Sequence, residues 1–126
     1  MMITRDDLVD RYGEADIAGL ERNINDPDAT VTRIADATRY VSSYVSDYLP
    51  LATIPSSLKD ATALVARYKL FKNKRPDDVN EDYKNLVLWL DKIASGKLSL
   101  IDDDGNVINK TGDFYDTSFK SGAMVV

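Results

Sequence analysis

The side chains that most often do covalent or metal chemistry are missing from this chain. Among its 126 residues there is no histidine and no cysteine. That excludes a Ser-His-Asp triad, a zinc-histidine site, a thiolate nucleophile, a disulfide and iron–sulfur ligation. What remains is a supply of 21 acidic side chains. Asp102-Asp103-Asp104-Gly105 invites a calcium-loop reading, but setting Gly105 at the loop's glycine puts Leu100 at the first ligand position and Thr111 at the last. Neither can serve there, so the run reads as a turn. Gly96-Lys97-Leu98 has the end of a phosphate loop without its beginning: Asp91 stands where the first glycine belongs, and Leu98 has no oxygen for magnesium. No spacing marks out one acid pair as general acid and base. The reading is a non-enzyme, with no catalytic residue, no metal and no cofactor.

Two groups of side chains remain as candidates for binding. Arg67, Lys69, Lys72, Lys74 and Arg75 form a basic patch at one helix end, followed at once by Asp77, Asp78, Glu81 and Asp82. Cations at a helix C-terminus and acids at the next N-terminus complement the two macrodipoles, and the same patch can face an acidic partner or passing DNA. Aromatic and apolar anchors form the second group. Trp89 falls at the edge of a helical stripe, where a core edge and a subunit interface are equally good readings, and Phe114, Tyr115, Phe119 and Met124 are spaced through a polar tail. Tyr40, Tyr44, Tyr48, Tyr68 and Tyr83 mostly share core stripes and read as packing.

The elements that position these groups are helical. Thr4 and Asp7 pattern as a capping box opening a short helix through Leu8, Val9 and Tyr12 that Gly13 closes, and a short turn with Ile17 and Leu20 follows. Asp28 is the expected cap of a long helix over 29–48, with Val31, Ile34, Thr38, Val41, Val45 and Tyr48 on one face. Pro50 and Pro55 force an extended link. A second long helix, capped by Ser56 or Ser57, carries Leu58, Ala61, Leu64, Val65, Tyr68 and Phe71 and stops before Pro76. Asp78 and Glu81 pattern as the capping box of a third, with Val79, Tyr83, Leu86, Leu90 and Ile93, ending at Gly96. Asp-Gly between short apolar runs predicts a small hairpin over Leu98–Ile108. The fold class is mainly α: a small bundle of three long helices with a short N-terminal helix, a small C-terminal β-hairpin and a flexible tail. Residues 1–108 read as one helical domain and 109–126 as a flexible arm without period.

Charge is divided along the chain. Residues 1–30 hold 3 basic against 8 acidic side chains, and residues 31–76 hold 8 against 3, within a net charge of −5. No apolar run approaches the roughly 20 residues that span a bilayer, and the first residues lack a basic-then-apolar leader, so a soluble protein without membrane contact is expected.

The joint pattern of these pieces resembles a known family. Thr4-Arg5-Asp6-Asp7-Leu8, Arg11-Tyr12-Gly13-Glu14, Ile34-Ala35-Asp36-Ala37, Tyr44, Pro50-Leu51 and Ile54-Pro55 are followed by Leu58, Ala66-Arg67-Tyr68-Lys69-Leu70, Pro76, Tyr83 and Ile93-Ala94-Ser95-Gly96-Lys97. Together they look like a Mu-like prophage protein family of formerly unknown function, similar in helical layout to the head-tail connector adaptors of tailed phages. The resemblance covers Thr4 to Leu100 and leaves the tail outside it. The segment Asp47-Tyr48-Leu49-Pro50-Leu51 is shorter than the family's linker and lacks its arginine. What the resemblance implies is a structural virion protein: a homo-oligomeric ring, a dodecamer in the virion, beneath the portal. Its partners would be the portal protein and a stopper or tail-completion protein. It would be assembled in the bacterial cytoplasm and located at the virion neck. A closed ring needs unlike surfaces that meet head to tail, which the acidic first segment and basic middle offer. The alternative is a small helical DNA-binding or regulatory protein. Against it stand the net charge of −5 and a proline-rich link where a helix-turn-helix has a compact turn.

Overall fold

A computed structural model describes residues 2–111, in which five α-helices follow one another: α1 (Arg5–Tyr12), α2 (Glu14–Ile24), α3 (Ala29–Tyr44), α4 (Ser56–Leu70) and α5 (Asp77–Ala94). The expected capping box opens α1, where the Asp7 carboxylate accepts the Thr4 backbone N–H at 2.9 Å. Gly13 closes it at φ +93°, a left-handed value that glycine adopts at little cost, and donates its N–H to the Val9 carbonyl at 2.8 Å. The short turn expected after Gly13 is a full helix of 11 residues, ended by Asn25 at φ +57°. Its polar composition hid it, because α2 is held by side chains from α1, α3 and α4 rather than by a wide apolar face.

The helix expected over 29–48 stops at Tyr44. There the Val45 amide bonds to the Ser42 carbonyl at 3.2 Å, tightening the last turn, and a 3₁₀ turn η1 (Ser46–Tyr48) follows. Leu49 is extended, as the residue before Pro50 must be. Val45 and Tyr48 stay buried because the tighter turn keeps them on the inner face. Val31, expected in the core stripe, is instead 58% exposed.

At α4 neither serine is the cap. Pro55 takes that position, and the Asp103 carboxylate, from far along the chain, accepts the Ser56 N–H at 2.8 Å and the Ser56 hydroxyl at 2.9 Å. The helix ends at Leu70, and Phe71 already has φ −70°, ψ 116°. α5 starts one residue before the expected box, with Pro76 at the cap and the Asp78 carboxylate accepting the Val79 N–H at 3.0 Å.

α4 sits at the centre and touches α1, α2, α3 and α5. Leu58, Ala61, Thr62, Ala63, Val65, Ala66 and Leu70 are buried around most of its circumference. α3 lies along it with Ile34, Ala37 and Val41 inward, and α5 adds Leu90 and Ile93. Small side chains at Ala37, Ala61 and Ala66 let the backbones approach closely. The buried Thr62 hydroxyl is satisfied by the Leu58 carbonyl at 2.8 Å.

No strand forms among the described residues, so the hairpin is corrected to a turn closed by one antiparallel bridge, Ile101 to Val107. Asp102 Oδ1 accepts the N–H groups of Asp104 and Asn106 at 3.0 and 2.8 Å, making a local turn. Leu100 plugs into the core while Ile101 and Val107 stay exposed, and among the described residues no third strand or helix covers the pair. Two short strands without such cover are marginal. Of the arm, Asn109–Thr111 lies within the described residues. Thr111 donates its N–H to the Asp47 carbonyl at 2.7 Å and its hydroxyl to the Leu49 carbonyl at 3.0 Å.

Burial ranks two substitutions. Val41→Asp places an unpaired charge in the α3–α4 contact and costs several kcal/mol, a large share of a stability of roughly 5–15 kcal/mol. Leu64, expected in the same core, is only half-buried, so Leu64→Asp leaves a folded protein with a lower melting temperature. Circular dichroism and thermal melts of both variants check the ranking; an unchanged melt for Val41→Asp would contradict the packing.

Candidate functional site

The basic patch divides once its side chains are placed. Arg67, on α4, donates Nε–H to the Asp16 carboxylate of α2 at 2.9 Å, and its guanidinium lies 4.6 Å from the Tyr12 ring centre and 5.4 Å from that of Phe71. The Asp16 bond raises the arginine's pKa, while burial raises that of the Tyr12 phenol against the opposing pull of Arg67. Arg67 is thus a fastener between helices. Arg75 folds back over the end of α4, its Nε–H on the Tyr68 carbonyl at 2.8 Å and its guanidinium 3.8 Å from the Tyr68 ring centre. Lys69 Nζ lies 5.9 Å from the Tyr40 ring centre. Lys72 and Lys74 are exposed in the link to α5.

Sequence reasoning missed Arg33. It sits on α3, where that helix's start lies beside the end of α4, and donates Nε–H to the Lys69 carbonyl at 3.1 Å. Antiparallel packing brings it there, and one turn of α3 with no acidic residue was the only hint. Among the described residues, Arg33, Lys69, Lys72, Lys74 and Arg75 have no carboxylate within 4.0 Å of a cationic nitrogen, whereas Arg5, Arg11, Arg39 and Arg67 all do.

Beneath this end runs an aromatic stack. Tyr68 and Tyr83 are nearly parallel with ring centres 3.8 Å apart, Tyr40 continues the stack at 6.3 Å, and Tyr44 meets Tyr40 edge to face at 5.3 Å. The Tyr40 and Tyr44 hydroxyls are 3.2 Å apart, and burial, with that bond, raises the Tyr40 pKa. The tyrosines expected as packing do pack, tying α3, α4 and α5 together.

Trp89 stands half-buried on α5. With Leu86 and, from α4, Ser57, Asp60, Ala61 and Leu64, it lines an open groove of about 310 Å³. Asp60 at its rim is held by Arg11 of α1 at 2.8 Å, and the buried Ser57 hydroxyl has no hydrogen-bond partner among the described residues. The expected anchors Phe114, Tyr115, Phe119 and Met124 lie outside the described residues. Leu64 and Leu86 are ordinary stripe positions in sequence; only the angle between α4 and α5 leaves them facing a groove.

The acidic first segment is partly neutralised from within. Arg5 reaches Glu14 at 2.8 Å and Glu21 at 2.9 Å, and the buried Thr30 hydroxyl donates to Glu21, joining α1, α2 and α3. Asp6, Asp10, Asp26 and Asp28 are left exposed.

No helix among the described residues is long and apolar enough to cross a membrane. What the arrangement offers is binding surface: an apolar groove, and an end of α4 ringed by cations.

Residues 3–115 match the family described as Bacteriophage Mu, Gp36. The chain belongs to that family. The Mu-like prophage FluMu protein gp36 of Haemophilus influenzae is 37% identical over 83 residues, which cover 63% of this chain and 59% of that protein. Gene product J of Escherichia phage Mu is 30% identical over 98 residues, 75% of this chain and 64% of that protein. The chain therefore spans less than two thirds of either relative. The Gp36 match includes α1 to α5, so every helix that builds the groove and the basic end lies within it.

The three-helix junction predicts an acid sensitivity of defined sign for this Gp36-family protein. Hydrogen bonds from Arg5, opposed by burial and assisted by Thr30, hold the Glu21 carboxyl below its ordinary 4.5. A carboxyl depressed in the folded state contributes stability above its unfolded pKa and loses it as pH falls through the lowered folded value. Glu21→Gln should cost about 1 kcal/mol at neutral pH, surface exposure screening the pair. It should also flatten the fall in melting temperature as pH drops from about 5. Parallel melting curves for the two proteins across that range would refute the assignment.

Proposed function

We infer that this Gp36-family protein is a head-tail connector adaptor, a structural virion component assembling as a ring beneath the portal of a tailed phage or prophage. The observation that carries the reading is the match to a phage Mu family over residues 3–115. It agrees with a chain whose histidine and cysteine counts are zero and whose distinctive features are surfaces. On this reading the portal protein and a stopper or tail-completion protein are its partners, and the virion neck its location.

A closed ring joins unlike surfaces of successive copies. The Trp89 groove is one candidate half, and residues 112–126 of the next copy are its proposed occupant. Thr111 is fastened to the body. Fifteen residues beyond it reach up to about 50 Å when extended, enough to cross to a neighbour. Phe114, Tyr115 and Phe119 match the groove's apolar lining of Ala61, Leu64, Leu86 and Trp89. Holding any segment in one bound conformation costs conformational entropy, so single contacts are modest and ring closure supplies the rest through many at once.

Mixing the protein with its cognate portal should yield a complex with ring density beneath the portal in electron micrographs. Deleting residues 112–126 should abolish that complex and leave helicity and melting of the free protein nearly unchanged. Trp89 is the single tryptophan, so its emission should shift to shorter wavelength on assembly of the full chain and stay put in the truncated one. Infectious particles completed by the truncated protein would eliminate the arm; particles completed without the protein at all would eliminate the adaptor.

A further inference from the structure

The five cations at the end of α4 have a use that helix capping does not exhaust. Arg33 and Arg75 each spend one N–H, the Nε–H, on a carbonyl of the last α4 turn, Lys69 and Tyr68 respectively. Those bonds supply the C-terminal capping that α4 otherwise lacks. They also fix two guanidinium groups, each with further N–H donors uncommitted among the described residues, one of them stacked on Tyr68 of the Tyr68–Tyr83 pair. Lys72 and Lys74 stand beside them on an exposed link, and no described carboxylate is within 4.0 Å of any of the five. Two pre-set planar cations flanked by flexible ones make a receptor for anionic oxygens.

The anion's source follows from what the patch lacks. Between Phe71, which is turned under Arg67, and Pro76 the exposed residues are Lys72, Asn73 and Lys74, with no apolar side chain to form the dry centre of a protein interface. Surfaces that contact nucleic-acid backbone are polar and strongly cationic. No run of base-reading side chains accompanies the patch. We propose that Arg33, Lys69, Lys72, Lys74 and Arg75 form a sequence-independent contact for the phosphodiester backbone of duplex DNA. The proposal is independent of ring formation and goes beyond the adaptor reading.

The test uses the full chain alone, without portal, and a short labelled duplex of arbitrary sequence followed by fluorescence anisotropy. Binding should be measurable at low salt and, for four phosphate contacts, weaken about a hundredfold between about 50 and 200 mM salt. Lys72→Glu with Lys74→Glu, both exposed and so leaving the circular dichroism unchanged, should weaken binding tenfold or more and lower the salt slope by about 2. The paired neutral changes Lys72→Gln and Lys74→Gln should fall between. Lys92→Glu with Lys97→Glu, on exposed residues at the far end of α5, should cost much less. Absence of binding at low salt overturns the proposal, as does an equal loss in the Lys92 and Lys97 control. Polyglutamate competing as well as the duplex, charge for charge, overturns it in favour of an acidic protein partner.

Discussion

Everything in this fold leans on the burial of α4. A helix enclosed on most of its circumference needs small side chains where neighbours cross and larger ones where gaps must be filled, and α4 alternates Ala61, Ala63 and Ala66 with Leu58, Val65 and Leu70. The exposed Ser56 N–H at its start and the part-buried Tyr68 and Lys69 carbonyls at its end lie beyond the helix's own hydrogen-bond ladder and need other partners. They find them at a distance in sequence. Asp103 serves the first turn, its carboxyl held below the ordinary range by the Ser56 N–H and then by the Ser56 hydroxyl, while Arg33 and Arg75 serve the last. A turn after α5 and a side chain of α3 thus complete a helix that neither belongs to.

Arginine does most of the joining around that helix. Arg5 connects α1 to two acids of α2, Arg11 connects α1 to α4, and Arg67 connects α4 to α2 while lying between two aromatic rings. Each of these pairs is partly exposed, so none contributes much by itself. Their effect is orientation: a planar fork that meets a carboxylate and an aromatic face at once holds two helices at one angle. The consequence for function is a sorting of charge. Three acids of the first segment, Glu14, Asp16 and Glu21, are engaged by arginines while Asp6, Asp10, Asp26 and Asp28 stay exposed, and Arg33, Lys69, Lys72, Lys74 and Arg75 gather at the end of α4 without an ion pair among the described residues.

On the proposed reading the protein acts through what it presents. The family match puts the chain among phage Mu Gp36 proteins, and its two distinctive surfaces differ in chemistry. The groove lined by Trp89 is apolar with a polar rim, the composition of a protein contact; the link after α4 exposes Lys72, Asn73 and Lys74 in a row, the composition of an ionic one. On the two separate proposals made for them these serve different partners, a neighbouring copy and duplex DNA, so one can be altered without the other.

The sequence by itself determined the helical class, the three long amphipathic segments and most of the inward faces, because a 3.6-residue period of apolar side chains has only one inexpensive solution. Local backbone rules placed the Thr4–Asp7 box, the Gly13 break and the disruption at Pro50 and Pro55. The family too was legible, in a joint pattern of weak pieces. Tertiary structure decided the rest. α2 is a full helix because partners on α1, α3 and α4 satisfy its polar side chains, and Val31 is exposed because no described residue packs over that part of the α3 stripe. The Asp-Gly hairpin shrank to one bridge because a turn signal forms a turn but cannot provide a sheet for its strands. Whether Arg67 is a fastener or a free cation, and whether Arg33 joins the basic end, depends on which residues antiparallel helices bring within a few ångströms. That is a property of packing geometry, which no spacing along a single chain encodes locally.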